Sequence, residues 1–273
     1  MIDVKQALAE ASPRVERGEA ELLLIHALGK PRSWLIAHDN DPLDPVVLRA
    51  YRAMIERRAI GEPVAYITGR RGFWSFDLEV SQATLIPRPE TELLVELALE
   101  RLPVDSASAV VDLGTGSGAI ALALAHERRR AKVVATDRSV DALSVAEGNA
   151  RRLGLRVEFA QGDWFDAVPG RHFSLVVSNP PYIEAADPHL ERGDLRFEPP
   201  HALASGIDGL DAIRRIVDEA PRYLEEGGWL LVEHGWNQGD GVRSLFDARG
   251  YREVSTFRDL EGRDRVSCGR WHR

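Results

Sequence analysis

The sequence predicts an α/β fold with a mostly parallel sheet, preceded by a smaller helical region. In the later part of the chain, apolar runs of strand length alternate with segments that have the length and pattern of helices. A glycine-rich turn joins one strand to a helix, and polar residues end several other strands. Before residue 62 the pattern is helical, so we expect more than one folding unit.

The first 62 residues predict a helical domain. Residues 19–28 form an apolar-rich helix ended by Gly29, and residues 31–38 form a shorter helix. Asp44 and Pro45 are a strong helix start, because an acid caps the first N–H groups and proline fits the first turn. The apolar residues that recur on one face of this helix are Val47, Leu48, Tyr51, Met54 and Ile55.

A β-hairpin is expected to link this domain to the rest of the chain. Residues 65–67 and 73–80 have the pattern of two strands around Gly69 and Gly72. The predicted boundaries are 1–62 for the helical domain, 63–84 for the hairpin linker and 85–273 for the α/β domain.

The α/β domain is expected to begin with a helix at residues 91–101. Strands follow near residues 110–113, 132–136, 156–162, 173–178 and 228–233, with helices near 119–128 and 237–249. Two late strands, 252–257 and 266–271, have no helix between them, which predicts an antiparallel pair at one edge of the sheet. The segment 183–204 is expected to be a long loop of the kind that often carries function.

A glycine-rich turn follows the strand near residues 110–113. Gly114, Gly116 and Gly118 stand at alternate positions, with Thr115 and Ser117 between them. Glycine permits a tight turn and lets a ligand approach the backbone closely. The G-x-G-x-G spacing differs from the G-x-G-x-x-G of dinucleotide sites, although one glycine-rich turn alone is weak support for either ligand.

Acidic residues end three strands near this turn. Asp112 precedes the glycines, Asp137 ends the next strand, and Asp163 ends the third, followed by Trp164. A carboxylate can accept hydrogen bonds from ribose hydroxyls or from an adenine amino group. The indole of Trp164 can lie against a base, or it can simply pack in the core. Together these residues predict a nucleoside-binding edge of the sheet.

Asn179, Pro180, Pro181 and Tyr182 follow the buried strand 173–178. The prolines lack N–H groups and hold φ near one value, so the turn is stiff and its carbonyls can accept hydrogen bonds. The amide and the ring add an acceptor, a donor and a flat surface, which suit a planar group that carries an NH₂. A strand-ending turn without further function would use the same residue types.

These motifs resemble the HemK/PrmC family, the release-factor glutamine methyltransferases. The similar segments are Ile86-Pro87-Arg88-Pro89-Glu90-Thr91-Glu92, residues 63–69, Phe73-Trp74, residues 179–182, residues 233–236 and residues 262–266. The resemblance covers nearly the whole chain and is weakest over the first sixty residues. The Asn-Pro-Pro-Tyr motif alone is shared with DNA adenine methyltransferases, whereas the combination is far more specific.

The resemblance implies a Rossmann-like class I S-adenosylmethionine methyltransferase sheet with an antiparallel edge strand. It implies S-adenosylmethionine as the cofactor, with S-adenosylhomocysteine as the product. The acceptor would be the glutamine of the Gly-Gly-Gln motif in peptide chain release factors, a step in translation termination. The expected cofactor-binding residues are Gly114, Thr115, Gly116, Ser117, Gly118, Asp137, Asp163, Trp164 and Asn179, with Arg88, Thr91 and Asp112 as further candidates.

Catalysis is assigned to Asn179, Pro180 and Tyr182, and substrate binding to these three with Pro181. The Asn179 side-chain oxygen and the Pro180 carbonyl would each accept one N–H of the substrate amide and aim its lone pair at the methyl group. Tyr182 would pack on the amide and help to exclude water. No general base is required.

The helical domain would hold the protein substrate. The helix that begins at Pro45 carries Arg49, Arg52, Arg57 and Arg58, which are typical of a solvated face but could also meet an acidic partner. We expect a monomer.

Composition limits the classes of function that this chain can have. The formal net charge of −8 disfavours a duplex-DNA binder, and the single Cys268 fits a reducing, cytoplasmic location. We expect no metal, since the histidines have no paired spacing, and no membrane span, since no apolar stretch approaches about 20 residues. Two other functions stay open: a nucleic-acid amine methyltransferase, which would need base flipping, and a non-catalytic nucleoside-binding protein.

Overall fold

The computed structural model describes residues 2–273, which divide into two compact units. The first unit extends up to Arg70, and the second comprises Arg71–Arg273. Among the described residues, no helix has the length and apolar character needed to cross a membrane.

The first unit is helical. Its helices are α1 (Val4–Ala11), α2 (Arg17–Leu28), α3 (Arg32–Ala37), α4 (Pro45–Ala59) and α5 (Val64–Thr68). The predicted start of α4 is confirmed, because the Asp44 carboxylate accepts a hydrogen bond from the Val46 N–H over 2.6 Å. The buried side chains that form the core of this unit include Leu23, Leu24, Leu35, Tyr51 and Ile55.

The predicted strand at residues 65–67 is wrong, because these residues belong to helix α5. Pro63 begins the helix and Gly69 ends it in the left-handed conformation, with φ of 69°. These two local signals override the strand preference of Val64 and Ile67. The hairpin within the expected 63–84 linker is therefore shorter, and it comprises β1 (Arg70–Phe73) and β2 (Phe76–Glu79).

The second unit alternates strands and helices. After the hairpin, its strands are β3 (Ala109–Leu113), β4 (Lys132–Asp137), β5 (Glu158–Gln161), β6 (Phe173–Ser178), β7 (Leu224–Glu233), β8 (Arg252–Arg258) and β9 (Asp264–Arg270). Its helices are α6 (Glu92–Arg101), α7 (Ala119–Glu127), α8 (Val140–Leu153), α9 (Asp211–Glu219) and α10 (Gly239–Arg249).

The strands form one sheet in the order β5-β4-β3-β6-β7-β9-β8. Pairs from β5 to β7 are parallel, whereas β9 is antiparallel to both β7 and β8. The predicted antiparallel pair at one edge is thus confirmed. The chain passes from β3 outward through β4 and β5 and then returns to the other side of β3 as β6, so the two βα crossovers diverge between β3 and β6. Such a switch point opens a crevice at the carboxyl ends of the strands.

The sheet is buried on both faces. Alternate residues of a strand point to opposite sides, so Val110 packs with one hydrophobic core and Val111 with the other. The first core includes buried residues of α6 and α7, and the second includes buried residues of α9 and α10. Burial on both faces fixes the register of the central strands.

The segment 183–204 is a long connection, as expected, and contains short 3₁₀ helices at Pro188–Glu191, Leu195–Phe197 and Pro200–Ala202. Glu198 anchors it, because this carboxylate accepts the Ile86 N–H over 3.0 Å and also pairs with Arg88. Glu198 is only 2% exposed. Burial raises its pKa, while Arg88 opposes that shift.

We expect the turn after β5 to tolerate no side chain at Gly162. A Cβ there would lie 2.7 Å from the Ala167 backbone. Gly162→Ala should therefore destabilise the protein by about 1–3 kcal/mol, the usual cost of overpacking. Gly148→Ala is the matched control, because a Cβ at this position in α8 meets no atom within 4 Å. Chemical denaturation should show unchanged or higher stability for Gly148→Ala, and equal behaviour of both variants would contradict this account of the turn.

Candidate active site

A cleft of about 390 Å³ opens where the switch point between β3 and β6 lies. The sequence-predicted residues that line it are Thr91, Gly114, Thr115, Gly116, Ser117, Asp137, Asp163, Trp164, Asn179 and Pro181. The structure thus brings the glycine-rich loop, two of the three strand-end acids, and Asn179 and Pro181 of the Asn-Pro-Pro-Tyr motif to one cavity.

The glycine-rich loop is held against the end of β4. The Gly114 and Thr115 N–H groups both donate to the Thr136 carbonyl, over 2.9 and 2.8 Å. The Gly116 N–H donates to Asp137 Oδ2 over 3.0 Å, and Asp137 Oδ1 accepts the Ser139 N–H over 2.9 Å. Each carboxylate oxygen can accept more than one hydrogen bond, so Asp137 keeps acceptor capacity toward the cleft that it lines.

Trp164 lies over this loop. A Cβ on Gly114 would be 3.3 Å from Trp164 Cζ3, and Gly114 has φ of 74°. Gly114 is therefore required both by its backbone conformation and by the approach of the indole. Trp164 itself has φ of 54°, a strained value for a bulky side chain. Strain of this kind persists where the surroundings over-determine a conformation, as they do in many binding sites.

Asp112 supports the loop from below and does not line the cleft. Its Oδ2 accepts the Thr115 hydroxyl over 2.6 Å and the Ala121 N–H over 3.2 Å. Its Oδ1 is buried and has no hydrogen-bond partner within the part of the chain that the structure describes. Burial raises the pKa of Asp112 to about 7, although these two hydrogen bonds oppose the shift.

Arg215 holds Asp163 in place, and it was missed by the sequence analysis. Its guanidinium pairs with Asp163, with Asp166 over 3.2 Å and with Glu219 over 2.9 Å. Arg215 also lines the cleft from α9. One oxygen of Asp163 is thus already engaged, which leaves the other to meet a ligand.

Asn179 follows β6 directly and is fixed by Thr91. Its Nδ2 donates to Thr91 Oγ1 over 3.1 Å. Its Oδ1 is buried and makes no hydrogen bond to any described residue. A buried acceptor without a partner is costly in a folded protein. Because Asn179 lines the cleft, this oxygen is suited to accept a donor from a bound molecule.

The remaining motif residues, Pro180 and Tyr182, do not line the cleft. Pro180 is buried. The Tyr182 hydroxyl donates to Glu233 Oε1 over 3.3 Å, and the Tyr182 carbonyl accepts the Gln238 side chain over 3.0 Å. Burial raises the pKa of Tyr182.

The other predicted residues outside the lining are Arg88 and Gly118. Arg88 pairs with Glu198, as described above. Gly118 begins α7, and a Cβ there would meet Leu122 at 3.0 Å and Ala146 at 3.2 Å, so it serves helix packing.

Further lining residues come from two segments that the sequence analysis did not assign to the site. They are Ala83, Thr84, Leu85 and Pro87 on one side, and His201, Ala202, Ala204, Ser205, Asp211 and Ala212 on the other. The length of the segment 183–204 predicts a functional loop, but no sequence pattern indicates which of its residues line the cleft. No group of three or more His, Cys, Asp or Glu side chains within residues 2–273 is placed to hold a metal ion.

Comparison with known proteins identifies both parts of the chain. Residues 2–69 match the PrmC N-terminal domain, and residues 90–192 match the methyltransferase small domain. Solved structures with similar folds include a methyltransferase from Pyrococcus furiosus, with a TM-score of 0.56 and 18% identity over 81% of this chain and 98% of that one. Another is the T. Thermophilus 16S rRNA N2 G1207 methyltransferase, with a TM-score of 0.54 and 20% identity over 75% of this chain and 50% of that one. At these identities the likeness concerns the fold alone, and it confirms the class I methyltransferase architecture.

Curated relatives match over nearly their full length. The release factor glutamine methyltransferase of Xylella fastidiosa (strain 9a5c) is 56% identical over 96% of both chains. The protein of the same name from Escherichia coli (strain K12) is 46% identical over 98% of this chain and 96% of its own. This chain therefore belongs to the release factor glutamine methyltransferase family.

Proposed function

We propose that this protein transfers a methyl group from S-adenosylmethionine to the side-chain amide nitrogen of the glutamine in the Gly-Gly-Gln motif of peptide chain release factors. The observation that carries the proposal is the buried Asn179 Oδ1, an acceptor without a partner among the described residues, beside a glycine-rich cleft. The names of the relatives supply the substrate. Incubation with labelled S-adenosylmethionine and purified release factors, followed by peptide mass spectrometry, tests it directly.

The cleft suits the cofactor by its donor and acceptor groups. Asp137 would accept the ribose hydroxyls, the second oxygen of Asp163 would accept the adenine amino group, and Trp164 would lie against the base. Gly116 has φ of 56°, and a Cβ there would meet no atom within 4 Å, so the backbone leaves space for a ligand. When bound, the cofactor supplies an activated methylsulfonium that needs no further activation by the protein.

The acceptor amide would be held by Asn179 and Pro180. An amide nitrogen is a poor nucleophile because its lone pair is delocalised into the carbonyl. Two acceptors placed on its two N–H groups favour rotation of the nitrogen out of conjugation and fix its direction, which is catalysis by orientation and preorganised polarity. The prolines hold the second acceptor, the Pro180 carbonyl, by restricting φ. After transfer the nitrogen loses a proton readily to water, so no general base is assigned.

We assign protein recognition to the first unit, within the proposed division into domains at 1–62, 63–84 and 85–273. A glutamine amide alone is too small to distinguish one protein from another, so contacts elsewhere must supply specificity. Three arginines of α4 are already paired within this unit: Arg52 with Glu10, Arg57 with Glu62 and Arg58 with Glu19. Arg49 is exposed and is therefore the best candidate to meet an acidic surface.

We propose a cytoplasmic monomer, with release factors as protein substrates and no direct nucleic-acid or membrane partner. Release factors act in translation, and the formal net charge of −8 disfavours binding to a phosphate backbone.

Loss of the Asp137 carboxylate should weaken cofactor binding. Asp137→Ala removes two charge-assisted hydrogen bonds to ribose, each worth roughly 1.5–3 kcal/mol, so the Kd for S-adenosylmethionine should rise on the order of 10²-fold or more. Calorimetry measures this change. Asp141→Ala, at an exposed position in the first turn of α8, is the control and should bind normally. Unchanged affinity in folded Asp137→Ala would remove this residue from the cofactor site.

Loss of the Asn179 side chain should slow transfer more than it weakens cofactor binding. Asn179→Ala should lower kcat on release factor by on the order of 10²-fold, the scale for removal of one preorganised polar contact. Asn179→Asp keeps an acceptor but loses the NH₂ that bonds to Thr91, so it should also be slow. Gln161→Ala, at the exposed end of β5, is the control and should keep the wild-type kcat. Wild-type turnover by Asn179→Ala would show that the acceptor site lies elsewhere.

Charge reversal at Arg49 tests recognition by the first unit. Arg49→Glu should raise KM for intact release factor by up to about fivefold, since one surface charge pair is worth up to about 1 kcal/mol. It should leave KM for a short Gly-Gly-Gln peptide unchanged, because the peptide lacks the surface of the intact factor that Arg49 would contact. Equal KM values on the intact protein before and after the change would indicate that Arg49 only faces solvent.

A further inference from the structure

A chain of polar side chains runs from Asn179 into the protein. Asn179 Nδ2 donates to Thr91 Oγ1 over 3.1 Å, and the Tyr182 hydroxyl donates to Glu233 Oε1 over 3.3 Å. Thr91 is among the groups that lower the pKa of Glu233. Glu233 Oε2 is buried and makes no hydrogen bond to any described residue, so this oxygen can accept the proton of the Thr91 hydroxyl. Thr91 is 4% exposed and Glu233 is 1% exposed. The transfer step as described above uses neither residue.

The direction of these hydrogen bonds decides which atom Asn179 presents to the cleft. The oxygen and nitrogen of an amide are nearly equal in size, so only hydrogen bonding fixes its orientation. If Thr91 acts as the acceptor, it takes the Asn179 NH₂ and leaves Oδ1 for the substrate. If Thr91 instead donated to Asn179, the amide would turn and present an NH₂, which cannot accept the N–H of a glutamine amide.

Resting on the proposed function, we infer that Glu233 is a positioning residue that sets the orientation of Asn179 through Thr91. A threonine hydroxyl has a single proton. The ionised Glu233 carboxylate can only accept, so it draws that proton toward itself and leaves the Thr91 lone pairs for the Asn179 NH₂. The Tyr182 hydroxyl donates to the same carboxylate and holds it in place. Glu233 does not line the cleft, and it acts on Asn179 through Thr91.

The charges around Glu233 make this arrangement sensitive to pH. Burial raises the pKa of Glu233 to about 7 and Glu90 raises it further, whereas Thr91, Arg265 and Tyr182 oppose the shift. Arg265 also forms an ion pair with Asp259, with a nitrogen–oxygen distance of 3.2 Å. When Glu233 takes up a proton it can become a donor to Thr91, and the hydroxyl is then released to donate toward Asn179. Orientation of the amide should therefore be lost as the pH falls through about 7.

Glu233→Gln tests the inference because glutamine is a close match in size but can donate a hydrogen bond. At pH 8 this variant should lower kcat on release factor at least about tenfold, part of the effect of losing one preorganised contact. The Kd for S-adenosylmethionine should stay within about twofold, since Glu233 does not line the cleft. The wild-type kcat should fall on the acid side with a midpoint near pH 7, and Glu233→Gln should lose that midpoint.

Thr91 variants test whether a loss of activity in Glu233→Gln comes from the lost hydrogen bond or from a damaged fold. Thr91→Val removes the hydroxyl and should reproduce the loss of kcat, whereas Thr91→Ser keeps it and should retain most of the activity. The double variant Asn179→Ala with Glu233→Gln should be no slower than Asn179→Ala alone, because Glu233 acts through Asn179. Additive losses, or wild-type kcat and pH profile in Glu233→Gln, would overturn the inference.

A measurement that needs no turnover separates this inference from the proposed function. Hydrogen exchange of the Asn179 side-chain NH₂, followed by NMR, should be slow in the wild-type protein at pH 8 and faster in Glu233→Gln and Thr91→Val. Equal exchange in all three would overturn the inference even if release factors are methylated. Slow wild-type exchange together with no methylation of release factors would instead count against the proposed function.

Discussion

The parallel register between β3 and β6 is the constraint on which the candidate site depends. It pairs Leu113 with Ser178 at the carboxyl ends of the two strands, and the Ser178 hydroxyl donates to the Leu113 carbonyl over 2.7 Å. The next residues along the two strands are Gly114 and Asn179, so the cofactor loop and the acceptor motif become neighbours. A slip of one residue would exchange the side chains of β6 between the two hydrophobic cores. Burial on both faces of the sheet therefore also fixes the chemistry at its edge.

Two buried acids lie beneath this edge, and both work against the stability of the fold at neutral pH. Burial raises the pKa of Asp112 from 3.8 and that of Glu233 from 4.5, each to about 7. Because the folded-state pKa exceeds the unfolded one, protonation favours the folded protein. This stabilisation is complete below the unfolded values and is lost as the pH rises through about 7. The protein thus gives up stability near neutral pH to keep polar groups that orient the glycine-rich loop and Asn179.

The sequence predicted best what local pattern determines. Strand ends, the glycine turn and the capped start of α4 depend on neighbouring residues, and they appear where expected. The helix at Val64–Thr68 was not predicted, because its side chains favour a strand and the helix signals of Pro63 and Gly69 lie outside it. Helix α1 was also not predicted, although Asp3 and Gln6 form a capping box at its start. The contacts of Arg215 with Asp163 and of Asn179 with Thr91 join residues 52 and 88 positions apart. A local sequence pattern cannot predict such contacts, because only tertiary folding brings these residues together.

The two proposed acceptors for the substrate amide are fixed by different physical means. The Pro180 carbonyl is held by the restricted φ angles of consecutive prolines, a covalent constraint that does not change with pH. The Asn179 oxygen is held only by the polarity of hydrogen bonds that pass through Thr91. An aspartate at this position would need no such orientation, since its two oxygens are equivalent, but it would place a charge beside the reacting nitrogen and lose the donor to Thr91. A neutral amide avoids that charge, and it makes the site dependent on a buried partner that fixes which of its two ends faces the cleft.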